Sequence, residues 1–182
     1  MNIINELCKL PRMYYLPADQ LNNNVIGIYD MMKEISTPDF EMVEIGSFAG
    51  ISSMLFAEMC RKVFCVDLWQ EYTELPSDKL KTAEELFDGW LTMYPNMQKV
   101  KMNSLDASKS FEDASLDLVY IDGGHDYESC KNDIVAWLPK IKKGGWITGH
   151  DIHMDTVRKA VEDILGKDYK TYKDESWAVQ IK

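Results

Sequence analysis

Three aspartates each close a short apolar run: Asp67 after KVFCV, Asp122 after LDLVYI and Asp151 after WITGH. A single aspartate there is as readily a turn former as a functional group. Three at equivalent places, beside a glycine-containing turn, point to a shared site. Asp122 and Asp151 are hard oxygen donors suited to Mg²⁺ or a similar divalent cation. The turn is Glu44-Ile45-Gly46-Ser47-Phe48-Ala49-Gly50. A dinucleotide fingerprint, Gly-x-Gly-x-x-Gly, would need glycine at positions 48 and 51, where Phe48 and Ile51 stand. A pyrophosphate would meet bulky side chains there. No Gly-Lys-Ser/Thr follows, so a Walker loop is also absent.

Such residues meet only if the chain brings strand ends together. Period and composition alternate in a way that does this. Residues 40–46, 61–67, 97–102, 116–122 and 146–151 are expected as strands, and 50–60, 82–94 and 127–141 as helices. Gly144-Gly145 is read as the stop of the helix over 127–141. Asp155 is expected to cap a helix that runs to Gly166. The tail DYKTYKDESWAVQIK alternates like a hairpin. Strands alternating with helices imply a three-layer α/β sandwich on a mostly parallel sheet. Ligands then bind beyond the carboxyl ends of the strands, where the three acids fall. Leu21, Val25, Ile28 and Met32 mark an amphipathic helix that either covers the substrate side or packs on the sheet. The polar stretch 69–81 is expected as a lid over the binding edge.

The pattern Glu-x-Gly-x-x-x-Gly resembles the first motif of class I S-adenosylmethionine-dependent methyltransferases. The stretch SLDLVYIDGGHDYESCKNDIVAWLPKIKKGGWITGHD is similar to small-molecule O-methyltransferases that include macrolide-sugar and cephalosporin-biosynthesis relatives. Its most specific pieces are Ile121-Asp122-x-x-His125-x-Tyr127 and Gly144-Gly145 through Gly149-His150-Asp151. The resemblance runs from about residue 40 to residue 165. It implies a Rossmann-like fold with a seven-stranded sheet whose last strand is antiparallel, in a single domain 1–182 (a helical cap over 1–38, a core over 39–182). It implies S-adenosylmethionine contacts at Glu44, Gly46, Ser47, Gly50, Asp67, Trp69, Ser104 and Asp122. Asp67 would bind the ribose hydroxyls, Ser104 lies where the family places adenine, and Trp69 stacks on adenine or else packs beneath the following segment.

The same resemblance makes His125 the general base, a role suited to an imidazole that titrates near neutrality. His153 is a further ligand, a substrate contact or a solvated loop residue. The relatives often carry a ligating Glu before the second aspartate. Here it is His150, so the metal set is Asp122, His150 and Asp151. The softer imidazole leaves Mg²⁺, Mn²⁺, Fe²⁺, Zn²⁺ or no metal open. A positioned base supplies roughly 10²–10⁴-fold, which nearly suffices for a phenol but falls short for a sugar hydroxyl unless a metal acidifies the oxygen.

Charge narrows the partners. Of 182 residues, 20 are Lys or Arg and 30 Asp or Glu, a net charge of −10. A surface that acidic repels phosphate backbones and anionic lipid, so the expected partner is a small-molecule acceptor, with no nucleic acid and no membrane; homo-oligomerisation stays open. Cys8, Cys60, Cys65 and Cys130 form no Cys-x-x-Cys pair, and the N-terminus does not read as a signal peptide. A cytoplasmic protein with reduced thiols is expected. Two rivals remain: an NAD-type oxidoreductase of similar topology, which Phe48 opposes, and a non-catalytic cofactor-binding module, which His150 keeps in view.

Overall fold

Two apolar faces alternate along the central strands. β1 (Glu41–Ile45) sends Met42 into one core and Val43 and Ile45 into the other. β4 (Leu116–Ile121) repeats the division, with Leu118 and Tyr120 on the first side and Val119 and Ile121 on the second. A strand buried on both faces needs helices above and below it. The computed structural model supplies them, and it describes residues 18–70 and 77–182, with side chains from Val25 onward. On the first face lie α1 (Ala18–Ile35), α2 (Ile51–Met59) and α3 (Ser77–Leu91). On the second lie α4 (Ser104–Ser108), α5 (Tyr127–Trp137) and α6 (Asp155–Leu165).

The remaining strands are β2 (Lys62–Asp67), β3 (Met97–Lys101), β5 (Ile141–Gly149), β6 (Lys170–Thr171) and β7 (Trp177–Gln180). Their order in the seven-stranded sheet is β3-β2-β1-β4-β5-β7-β6. β3 to β5 pair in parallel, while β7 runs antiparallel to both β5 and β6. This is the Rossmann-like sandwich with an antiparallel end that the resemblance implied. Strand order reverses between β1 and β4, where a crevice opens beyond the carboxyl ends. Ile45 stands opposite Ile121, so Gly46 and Asp122 leave the sheet side by side.

Several local expectations need correction. The helix over 127–141 stops at Trp137, followed by a 3₁₀ turn over Leu138–Lys140. Gly144 and Gly145 lie inside β5 rather than ending a helix. Gly144 has φ +82°, and the register against β4 shifts between Leu116 and Leu118. A glycine in that conformation lets the strand bulge and continue. Asp155 is the first residue of α6, whose N-cap is Met154. α3 begins at Ser77, before the predicted start at 82, because its first turn is polar and shows no apolar period.

Val25, Ile28 and Met32 of α1 are buried in the first core, so this helix packs on the sheet. Glu34 at its end accepts from Tyr172 Oη at 3.0 Å and pairs with Lys170, tying α1 to the terminal hairpin. Part of the expected lid (71–76) and of the N-terminal cap (1–17) lies outside the described residues.

Candidate functional site

The turn after β1 is built around a buried acid. Glu44 is fully buried and accepts from Ser47 Oγ at 2.8 Å and from the hydroxyls of Ser52 and Ser53 on α2. Burial pushes its carboxyl up to about 7 against the pull of these hydroxyls. Glu44 and Ser47 therefore brace the turn and do not line the cleft beside it. Gly50 faces Phe87 and Trp90 of α3, again away from the cleft. All three residues support the turn.

Gly46 does line the cleft. It has φ +87°, and a Cβ there would lie 1.9 Å from the backbone oxygen of Asp122. Only glycine permits this approach. The turn is also pinned from β2, because Asp67 Oδ2 accepts from Phe48 N at 2.9 Å and Oδ1 from Trp69 N at 2.8 Å. Burial raises the Asp67 carboxyl, and these amide donors oppose the rise. Trp69 takes the packed one of the two arrangements expected for it. It is 4% exposed, packs on Phe87 and donates from Nε1 to the Phe48 oxygen at 2.7 Å, so its ring offers no stacking face to the cleft.

The cleft encloses about 640 Å³, solvent at its mouth included. It runs from Met102, Asn103, Ser104 and Leu105 after β3, past Leu68, Asp67 and Gly46, to Gly123 and Gly124 after β4. Its wall is completed by Ser129, Asn132 and Asp133 of α5. Ser104 Oγ accepts from Trp137 Nε1 at 2.8 Å. Asp133 was missed by sequence reasoning, although a signal existed. It falls on the helical stripe of Cys130, Ile134 and Trp137, where an acid is out of place.

Asp122 stands just beyond the cleft, together with Asp151 and the two histidines. His125 Nε2 lies 2.9 Å from Asp151 Oδ2 and 3.8 Å from Asp122 Oδ1. His150 Nδ1 approaches the same oxygens at 3.3 and 3.9 Å. Hydrogen bonding to Asp122 and Asp151 pushes the His125 imidazole up to about 10. Burial opposes charge on His150, yet the Asp151 hydrogen bond and both carboxylates carry it up to about 9. Burial also works to raise Asp151, but the two imidazoles outweigh it and hold that carboxyl well below the usual range.

Asp151 adopts φ +58°, a left-handed conformation sparsely used outside glycine, Asn and Asp. Ligand atoms of Asp122, His125 and Asp151 all lie within 4.8 Å of one another. His125 thus joins the carboxylate set for which His150 was expected. His150 is the more enclosed imidazole, and its Nε2 is buried without a hydrogen-bond partner among the described residues. His153 is exposed, with Nδ1 3.8 Å from Asp151 Oδ1. The loop from Asp122 to His125 therefore has the cleft on its glycine side and the carboxylate corner at its ends. Thr156 Oγ1 holds it by donating to the His125 oxygen at 2.7 Å.

Comparison with known proteins agrees with this layout. A family described as a methyltransferase domain matches residues 43–152. An uncharacterised protein of Acanthamoeba polyphaga mimivirus is 28% identical, over 88% of this chain and 81% of its own length. One from Sinorhizobium fredii is 29% identical over 60% of this chain, which spans only 13% of that relative. Among solved structures, a Staphylococcus aureus protein named provisionally as a caffeoyl-CoA O-methyltransferase superposes with TM-score 0.64 at 19% identity, covering 100% of this chain and 92% of its own. A Streptococcus mutans protein named provisionally as a methyltransferase, solved with S-adenosylhomocysteine, gives TM-score 0.63 at 11% identity over 92% and 99%. A Streptococcus thermophilus rRNA methylase gives 0.62 at 15% identity over 85% and 94%.

Proposed function

The chain belongs to this methyltransferase family as a class I S-adenosylmethionine-dependent enzyme, and from that premise we propose that it methylates an oxygen of a small molecule with the help of a divalent cation. The observation that carries the reading is the carboxylate pair Asp122 and Asp151, flanked by two imidazoles, at the rim of the cleft. Bound in the cleft, S-adenosylmethionine supplies an electrophilic methyl group. Asp67 is placed to accept from the ribose hydroxyls, since a carboxylate held by two backbone amides still has free lone pairs. Gly46 and Gly123 leave room for the amino-acid end to lie against the backbone.

The donor set fits a cation. Two carboxylates and an imidazole converge within ligand reach, and that concentration of negative charge already draws protons onto both histidines. Asp122 and Asp151 would hold the ion, with His150, whose Nδ1 faces the same two oxygens, as third ligand. An ion there would supply positive charge that lowers the pKa of an acceptor hydroxyl and relieves the pull that keeps His125 protonated. His125 is the proposed base. With Nε2–H donated to Asp151, Nδ1 is the atom left to take the proton. The acceptor is a small molecule because a chain of net charge −10 has no attraction for a polyanion.

The test is methyl transfer to sugar and phenol acceptors, with and without chelator, beside calorimetry with S-adenosylhomocysteine. Asp122→Ala is expected to abolish metal-stimulated turnover. His125→Ala is expected to lower kcat by about 10²-fold or more while cofactor and metal affinities stay within about threefold. Full activity in chelator would refute the cation. Parallel loss of metal affinity and kcat in His125→Ala would make His125 a ligand and not the base.

A further inference from the structure

The turn between β6 and β7 carries a buried carboxylate that the chemistry above does not use. Asp174 is 2% exposed. Ser176 meets it twice, donating from N to Oδ1 at 3.2 Å and from Oγ to Oδ2 at 2.7 Å. α1 closes over it so tightly that a side chain at Gly27 would strike the carboxylate. A buried carboxylate is costly unless donors and positive charge meet it. The positive group that acts on Asp174 is the His150 imidazole, and each stabilises the charge of the other.

Strand geometry brings the two together. β5 and β7 are antiparallel with Gly149 opposite Trp177, so His150 and Ser176 follow as the next pair. This end is locked by bonds from Trp177 Nε1 to the His150 oxygen at 3.2 Å and from Ile152 N to the Glu175 oxygen at 3.1 Å. Side chains alternate between the faces of a sheet. Ala178 lies in the first core and Trp177 in the second, so Ser176 returns to the first, where Tyr120 Oη lies 3.2 Å from its Oγ. His150 continues β5, its N donating to the Ile121 oxygen at 3.0 Å. Counted from Ile147 in the second core, its side chain falls on the first face as well.

The two ring nitrogens of His150 therefore have different surroundings. Nδ1 faces Asp122 and Asp151 at the rim. Nε2 is buried without a partner among the described residues. A ring nitrogen ligates only through a free lone pair, so a neutral His150 that ligates through Nδ1 must carry its proton on Nε2. That N–H is enclosed on the face where the Asp174 carboxylate lies, and negative charge there favours it. Ligating histidines commonly direct their second N–H toward a carboxylate. We propose that Asp174 is a positioning residue, whose negative charge beneath the rim holds His150 as the Nε2–H tautomer and leaves Nδ1 free to ligate the cation. The assignment rests on the reading that Asp122, Asp151 and His150 hold a divalent cation.

Calorimetry with Zn²⁺ on the full chain tests this in wild type, Asp174→Asn, His150→Ala and the double variant. Asp174→Asn keeps the shape and an acceptor for Ser176 but removes the charge. It is expected to weaken Zn²⁺ binding about tenfold, and by less than about twofold where His150 is already alanine. Equal weakening in both backgrounds, or none in either, overturns the proposal and makes Asp174 structural. Nitrogen-15 NMR of the imidazoles in Zn²⁺-loaded wild type needs no variant to fold. The His150 proton is expected on Nε2, and a proton on Nδ1 overturns the proposal. No Zn²⁺ binding by wild type, or undiminished binding by His150→Ala, overturns the metal reading itself and the role of Asp174 with it.

Discussion

Glu44 is buried against three serine hydroxyls, and its carboxyl rises from 4.5 to about 7. The folded protein therefore holds a proton there that the unfolded chain releases. Stability from this site is complete below about 4.5 and declines as pH climbs to about 7, a loss of about 3 kcal/mol. Glu44→Gln keeps the serine partners but cannot ionise. Its unfolding free energy, followed by urea titration from pH 5 to pH 8, is expected to fall less than that of wild type by roughly that amount. An identical pH profile in the two proteins would refute the protonated acid. The motif made Glu44 visible as a residue but not its task, because the serines that surround it are close only once α2 packs on β1. His125 shows the same limit. Its neighbour Asp122 is three positions away in sequence, whereas the Asp151 carboxylate it touches arrives from another strand.

Strand-ending acids were legible because a parallel α/β sheet puts every strand's carboxyl end on one edge, and three short apolar runs announced which strands those were. Glycines were less legible. Gly144-Gly145 reads as a stop in sequence, yet in the fold it is a bulge that lets β5 begin earlier and still deliver His150 and Asp151 to the rim. Gly46 is the opposite case, a glycine whose need is set by another element. A side chain there would strike the Asp122 backbone, and the left-handed φ adds strain. Gly46→Ala is expected to destabilise by about 1–3 kcal/mol or more and to weaken S-adenosylhomocysteine binding at least about tenfold. Gly89 in α3 meets nothing within 4 Å, so Gly89→Ala is the control, expected to be neutral or stabilising by up to about 1 kcal/mol. Thermal melts and calorimetry on the two variants check both statements, and equal behaviour would remove Gly46 from the cradle.

At the scale of the whole molecule, each face of the sheet carries its own core, and the candidate site residues gather at the one edge where strands end. Fold similarity reaches proteins with different partners, among them an rRNA methylase, so partner choice must come from the surface and not from the scaffold. With a net charge of −10, the chain is expected to show no RNA mobility shift at low salt, under conditions where S-adenosylhomocysteine binds. A salt-sensitive shift at micromolar protein would point to a basic groove in the assembled molecule and overturn the small-molecule acceptor. The contact between Gly46 and the Asp122 carbonyl has a longer reach than stability. The first turn and the acid corner share a single atom's clearance, so neither can shift without dragging the other. Variation that retunes the acceptor should therefore accumulate along the segment leaving β5, and laboratory selection for new acceptors would do best to begin there and leave the first turn alone.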